Sequence, residues 1–79
     1  MFTVYILECA DKTYYIGSTS DVERRLVEHN TSKRGAHYTK IRRPVVLKYS
    51  EPAQTLSSAR VREAQLKKLK REDKERLWK

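Results

Sequence analysis

Five side chains in this sequence combine types and spacings that could do chemistry: Tyr5, Tyr15, Arg25, His29 and Glu63. Four of them fall in one stretch, Thr3 to Asn30 (TVYILECADKTYYIGSTSDVERRLVEHN). Phenols and imidazoles within hydrogen-bond reach exchange protons. A guanidinium grips an oxyanion through paired hydrogen bonds, and a carboxylate offers hard oxygens to a divalent cation. Each residue also has an ordinary reading. Two strand tyrosines serve as half-buried packing residues. Arg25 and His29 could be a snorkelling arginine and a satisfied boundary histidine. Glu63 could simply pair with Lys67, four residues on.

The elements that must position these groups can be read from periodicity. Residues 2–8 (FTVYILE) and 13–18 (TYYIGS) are rich in β-branched and aromatic residues and are separated by a turn-like Ala10-Asp11-Lys12, which predicts a hairpin. With an odd-length loop, odd positions of both strands share a face. Val4, Ile6 and Ile16 then line the core, while Tyr5, Leu7 and Tyr15 point to the other side. Gly17 lies close to Tyr5 and leaves room for a backbone or a ligand. Ser20 and Glu23 have the spacing of a capping box, predicting a helix from Asp21 with Val22 and Leu26 as its buried stripe. Arg25 and His29 fall together at the edge of that stripe, and Arg24 and Glu28 on the far side, where they can pair in solvent.

Beyond this stretch, residues 36–41 allow a helical turn or two packed through Tyr38 and Ile41. Val45–Ser50 (VVLKYS) reads as a third strand bounded by Pro44 and Pro52. A long helix is expected over about 56–71 with Thr55 as N-cap and an apolar stripe of Leu56, Ala59, Leu66 and Leu69. Glu63 projects into that stripe, where a carboxylate is rare unless paired or bound to a metal. The tail, residues 72–79, returns Leu77 and Trp78 to the core. This is an α+β pattern in one domain, residues 1–79, with no linker and no repeat.

Composition narrows the function classes. The chain carries one cysteine, Cys9, so no internal disulfide forms, and one Cys with two His cannot close a tetrahedral zinc site. The longest apolar run, Val4–Leu7, is far short of the roughly 20 residues of a membrane span, and no signal-peptide pattern opens the chain, so a cytoplasmic address is expected. Net charge is +8 and is unevenly spread: residues 1–32 hold three Lys/Arg against five Asp/Glu, and residues 33–79 hold fifteen against five. A basic half suits a polyanion, because each neutralised phosphate releases counterions. Lys33, Arg34, Lys40, Arg42 and Arg43 in the connecting segment, and Lys67, Lys70 and Arg71 on the long helix, are the candidate backbone contacts. A solvated basic surface is the plainer account of the same residues.

Taken together, the residues resemble the GIY-YIG nuclease superfamily. Its first triad corresponds to Thr3-Val4-Tyr5 and its second to Tyr15-Ile16-Gly17. The R-x-x-x-H helix corresponds to Arg25 and His29, and the downstream glutamate to Glu63 within SARVREAQLKKLK. The resemblance runs from Val4 to about Arg71 and is to the small stand-alone members. Two positions depart from it. Thr3 stands where the first glycine is usual, and the asparagine that some members use after the glutamate is missing, Asn30 being the only one in the chain.

The resemblance implies a small three-stranded antiparallel sheet flanked by helices. It also implies hydrolysis of a DNA phosphodiester with one divalent metal, Mg²⁺ or Mn²⁺, held by Glu63. In that scheme Tyr5 is the general base, Tyr15 positions water or phosphate, Arg25 clamps a non-bridging oxygen, and His29 relays a proton from a tyrosine hydroxyl; the roles of Tyr5 and His29 could be exchanged. The expected partner is single-stranded or branched DNA bound without sequence preference, with any protein partner unspecified. The alternatives are a nucleic-acid-binding module that is silent or activated by a partner, and a basic protein that docks on structured RNA.

Overall fold

The computed structural model describes residues 1–79. Two strands, β1 (Phe2–Glu8) and β2 (Tyr14–Thr19), lead into helix α1 (Val22–Thr31) and a short helix α2 (His37–Lys40). Strand β3 (Val46–Ala53), helix α3 (Leu56–Lys68) and a short α4 (Arg71–Glu75) complete the chain. The sheet is antiparallel with order β2-β1-β3, an α+β arrangement with helices on both faces.

The hairpin turn sets the register. Lys12 takes the left-handed conformation (φ 71°), Cys9 N–H donates to Thr13 O, and the Asp11 carboxylate accepts from the Thr13 backbone and hydroxyl. Tyr5 therefore opposes Gly17, and Leu7 opposes Tyr15. As the central strand, β1 is covered on both faces, and Val4 through Leu7 are all buried. Val4, Ile6 and Ile16 pack on Ala59 and Leu66 of α3, and Phe2, Leu69, Leu77 and Trp78 close around them. On the opposite face Tyr5, Leu7, Cys9 and Val45 pack with Tyr15, Val22, Leu26 and Tyr38.

Between Ile6 and Leu7 the β1–β3 register slips, with Ile6 opposite Tyr49 and Leu7 opposite Leu47, so Lys48 is a bulge residue. An extra residue flips the faces. Leu47 therefore joins the α1 side and Tyr49 the α3 side, although they are two apart in sequence.

Several boundaries differ from those expected. Asp21, not Ser20, caps α1: its carboxylate accepts from Arg24 N–H at 3.1 Å, a charge-assisted bond at the positive end of the helix. Glu28 does not sit out in solvent with Arg24, because it also pairs with Arg25 at 3.1 Å. Pro52 does not close β3 but lies within it, opposite Thr3, as an edge strand permits. Thr55 caps α3 as expected, with Ser58 completing the reciprocal pair. The helix ends at Lys68 instead of about 71, because Leu69 turns extended and lets Leu69, Leu77 and Trp78 cover the core near Tyr14. Ile41 and Leu56, expected to pack, are exposed.

Candidate active site

Strand β2 is one edge of the sheet; Tyr5, Tyr15 and His29 gather on its α1 face, and Glu63 lies on its α3 face against Ser18. Tyr5 belongs to the central strand, yet its ring lies across Gly17. A Cβ built on Gly17 would stand 2.5 Å from the Tyr5 hydroxyl and 2.8 Å from Cζ. The missing side chain at position 17 thus lets a buried phenol reach from β1 towards the edge of the sheet. There its hydroxyl meets His29 Nε2 at 2.9 Å. His29, from α1, is fully buried, with the Tyr5 and Tyr15 rings edge-on to it at centroid distances of 5.9 and 5.1 Å.

A third residue orients the imidazole. His29 Nδ1 is 2.8 Å from the Thr39 hydroxyl, which itself donates to Ala36 O at 2.8 Å. Because the single hydroxyl hydrogen goes to Ala36, Thr39 can only accept from Nδ1–H. Nε2 is then the bare acceptor facing the Tyr5 O–H, an assignment from the hydrogen-bond network. The chain of donors runs one way: Tyr5 to His29 to Thr39 to Ala36.

Arg25 lies one turn before His29. Its Nη1 donates to Glu28 at 3.1 Å and to Arg34 O at 2.7 Å, and its charge reaches both phenols. Glu63 approaches from the opposite face on α3, with 17% of its side chain exposed. Its Oε2 accepts from the Ser18 hydroxyl at 2.6 Å, and Lys67 Nζ stands 3.9 Å from Oε1. Glu63 and the phenols rise from opposite faces of the sheet, and the Glu63 charge is the smallest of the influences that raise Tyr5 and Tyr15.

Burial dominates the titration of the site. It pushes Tyr5 up to about 12, reinforced by Tyr15 and opposed by Arg25. Burial also raises Tyr15, against the pull of Arg25. Burial, then the Arg25 charge, drops His29 to about 4, so the imidazole is neutral at physiological pH. For Arg25, desolvation is outweighed by its bond to Glu28 and the nearby Tyr5 phenol, and the guanidinium holds its proton more tightly than usual. Arg25 alone therefore does not make Tyr5 a base at neutral pH.

No group of three His, Cys, Asp or Glu side chains comes together, so a cation at Glu63 would draw most of its ligands from water and substrate. A part-buried Glu63 with oxygen lone pairs still open fits Mg²⁺, which takes few protein ligands and fills its octahedron with waters and phosphate oxygens.

The basic residues separate into two groups. Arg43 donates to Glu28 O, His29 O and Ser32 O, closing the C-terminal end of α1. Arg42 lies 3.8 Å over the Tyr38 ring and pairs with Asp11 at 3.0 Å. Arg71 lies 4.4 Å over Tyr14 and pairs with Glu75 at 3.1 Å. These three guanidinium groups already have partners within the protein, although the Arg71 side chain is half exposed. Lys33, Arg34 and Lys70 are exposed and Lys40 half-buried, all without an ion pair, and Lys67 has only its long contact with Glu63.

Ser18, Thr39 and Lys74 did not stand out in the sequence. Ser18 had a signal, because as an even position beside Gly17 it must face the long helix. Thr39 had none, since its role exists only through contact with a helix ten residues away. Asn30 is taken up by the backbone of Val45, which it bonds at both N–H (2.8 Å) and C=O (3.1 Å).

Two cavities flank the β2 edge. One, of about 280 Å³, is lined by Tyr14, Tyr15, Ile16, Tyr38, Lys67 and Lys74. The other, of about 240 Å³, is wholly polar and lies between Thr19, Ser20, Asp21, Arg24, Arg25 and Glu28.

Comparison with known proteins places this geometry. The family model of the GIY-YIG catalytic domain matches residues 1–76. A UPF0213 protein of Syntrophus aciditrophicus is 55% identical over 76 residues, covering 96% of this chain and 87% of that protein. A UPF0213 protein of Halobacterium salinarum is 47% identical over 78 residues, covering 99% and 100%. Among solved structures, the solution structure of a UPF0213 protein from Bacillus halodurans matches with a TM-score of 0.59 at 41% identity, covering 98% of this chain and 82% of that one. A protein of E. faecalis matches with a TM-score of 0.61 at 38% identity, covering 95% and 80%.

Proposed function

The chain belongs to the GIY-YIG family of nuclease catalytic domains, and from that premise we propose that it is a metal-dependent endonuclease hydrolysing phosphodiesters in single-stranded or branched DNA without sequence preference. The observation that carries the reading is the directed chain from Tyr5 through His29 to Thr39.

Each residue has a part that follows from its surroundings. Tyr5 takes a proton from the attacking water as its own hydrogen passes to His29 Nε2, the acceptor 2.9 Å away. Thr39 keeps the imidazole in the tautomer that can receive it. Tyr15, whose hydroxyl has no partner within the protein and which lines the larger cavity, orients the water or the phosphate. Arg25 holds a non-bridging oxygen and offsets the charge that develops there. Glu63 would hold Mg²⁺ or Mn²⁺, which supplies Lewis-acid polarisation of the phosphate and stabilises the leaving oxygen.

Titration gives this site a resting state. With Tyr5 held near 12 and His29 near 4, moving the proton from phenol to imidazole is uphill in the free protein. The phenol stays protonated until further positive charge joins Arg25 beside it.

The test is cleavage of labelled single-stranded and forked DNA by wild type and by Glu63→Gln, with and without Mg²⁺. Cation-dependent nicking by wild type and its loss in the variant are expected. Equal cutting by the variant would remove Glu63 from the metal site. A silent wild type that binds DNA tightly and in a salt-sensitive manner would favour the binding-module reading.

A further inference from the structure

The larger cavity is not needed to break a phosphodiester, yet it opens directly beside the residues that would do so. It shares Tyr15 with the chemical site, and Lys67, the neighbour of Glu63. At about 280 Å³ it lies just under the range of about 300–1,000 Å³ usual for pockets that bury a drug-sized ligand, which is room for one flat heterocycle. We infer that this cavity, straddling the β2 edge, receives one unpaired nucleobase of the strand whose phosphate lies between Arg25 and Glu63. The inference rests on the nuclease reading and names how the strand is held.

Three features of the lining argue for a base. The first is a set of braced aromatic rings. Tyr38 lines the cavity, and Arg42, held by Asp11, lies 3.8 Å over its ring. Tyr14 is likewise backed by Arg71, held by Glu75, and is fixed by its hydroxyl bond to Glu75 at 2.7 Å. Rings fixed in this way are platforms that lose little freedom when a base stacks on them.

The second is a surplus of unpaired hydrogen-bonding groups. The hydroxyls of Tyr15 and Tyr38 make no hydrogen bond within the protein, and neither hydroxyl is needed to hold the core. The free edge of β2 adds outward-facing N–H and C=O groups. Such groups suit the polar rim of a base and are wasted on a lipid or an aliphatic chain.

The third is charge. Lys74 is half-buried without an ion pair, and Lys67 has only the contact at 3.9 Å. Two ammonium groups around aromatic rings, on a chain of net charge +8, suit a base that carries its phosphates with it. An added peptide strand, the other occupant an open sheet edge invites, would leave Lys74 without a counter-charge.

The experiment separates binding from cutting. Full-length Glu63→Gln protein without divalent cation is titrated with a short fluorescent single strand in which each base in turn is replaced by an abasic sugar, leaving every phosphate in place. One position should weaken binding by about 5- to 100-fold, the range of a lost base–aromatic stack. Tyr38→Ala should erase that sensitivity, and Tyr38→Phe, which keeps the ring, should preserve it. Lys74→Gln should lower the salt slope by about 0.7, one single-strand phosphate. Equal affinity at every abasic position, or blunt duplex competing as well as single strand, would overturn the inference while leaving cleavage by wild type untouched. Position-dependent binding by a protein that cuts nothing with Mg²⁺ would sink the nuclease reading and keep the pocket.

Discussion

Thr39→Val tests the directed hydrogen-bond chain at its least expected member. Thr39 is fully buried, and the substitution keeps its shape while removing only the hydroxyl. Ala36 O loses little, because it still accepts from the N–H groups of Thr39 and Lys40. His29 Nδ1–H is the orphan, and an unsatisfied buried donor costs about 1–3 kcal/mol. In a domain of this size about 1 kcal/mol lowers Tm by roughly 4–8 °C, so a loss of about 5–20 °C is expected. The imidazole can escape part of that cost by moving its proton to Nε2. The nitrogen facing Tyr5 then becomes a donor and can no longer receive the phenolic hydrogen. Cleavage should fall by about 10- to 100-fold, at or below the lower end of the roughly 10²–10⁴ that general acid–base catalysis is worth, because only part of the imidazole switches tautomer. Nitrogen NMR of the imidazole reads the tautomer directly, with exposed His37 as internal reference. Thr39→Ser should restore tautomer and activity together. A wild-type His29 protonated on Nε2, or a Thr39→Val protein with unchanged melting and tautomer, would refute the reasoning.

Gly17→Ala should cut activity by about 100-fold, because its Cβ would stand 2.5 Å from the Tyr5 hydroxyl and displace it from His29. Chemical denaturation should show that the same change costs less in a Tyr5→Phe background, where the nearest clashing atom is gone. Acid should destabilise the fold through His29. Its folded pKa of about 4 lies below the ordinary 6.5, so the unfolded chain takes the proton first; about 3 kcal/mol of stability, whole above pH 6.5, is lost as pH falls through 4. Tyr5 acts in the opposite sense, since a phenol raised from 10.0 to about 12 stabilises below pH 10 and ceases to as pH rises through 12. Urea midpoints against pH check both limbs, and His29→Gln should flatten the acid one. Arg43→Gln should destabilise by about 2–3 kcal/mol, because charged hydrogen bonds to the α1 carbonyls are lost, with no change in the salt slope of DNA binding. Lys33→Gln should leave Tm unchanged and lower that slope by about 0.7–0.9.

The hairpin was legible because its determinants are local. Alternation in residues 2–8 and 13–18, with an odd turn between them, is enough to oppose Tyr5 to Gly17 and to send Tyr15 to the same face. The four-residue spacing of Arg25 and His29 likewise puts both on one side of any helix. Sequence also marked Glu63 as out of place on an apolar stripe, and Thr55 as a cap.

Other features depended on contacts that no local pattern records. The bulge at Lys48 sends Leu47 and Tyr49 to opposite faces. The break at Leu69 is decided by what the tail covers. Arg42, Arg43 and Arg71 read as phosphate contacts, and no local pattern records that they also engage aromatic rings, backbone carbonyls and carboxylates within the protein.

Sequence by itself determined which groups this protein carries and which side of each element bears them, because side-chain direction follows from a period of 2 or 3.6. Tertiary structure alone decided that Tyr5 is held near 12 and His29 near 4, that Thr39 sets the tautomer, and which cations are left over for a ligand. Desolvation and hydrogen-bond direction are properties of an enclosed volume, and a volume exists only once the chain has closed around it.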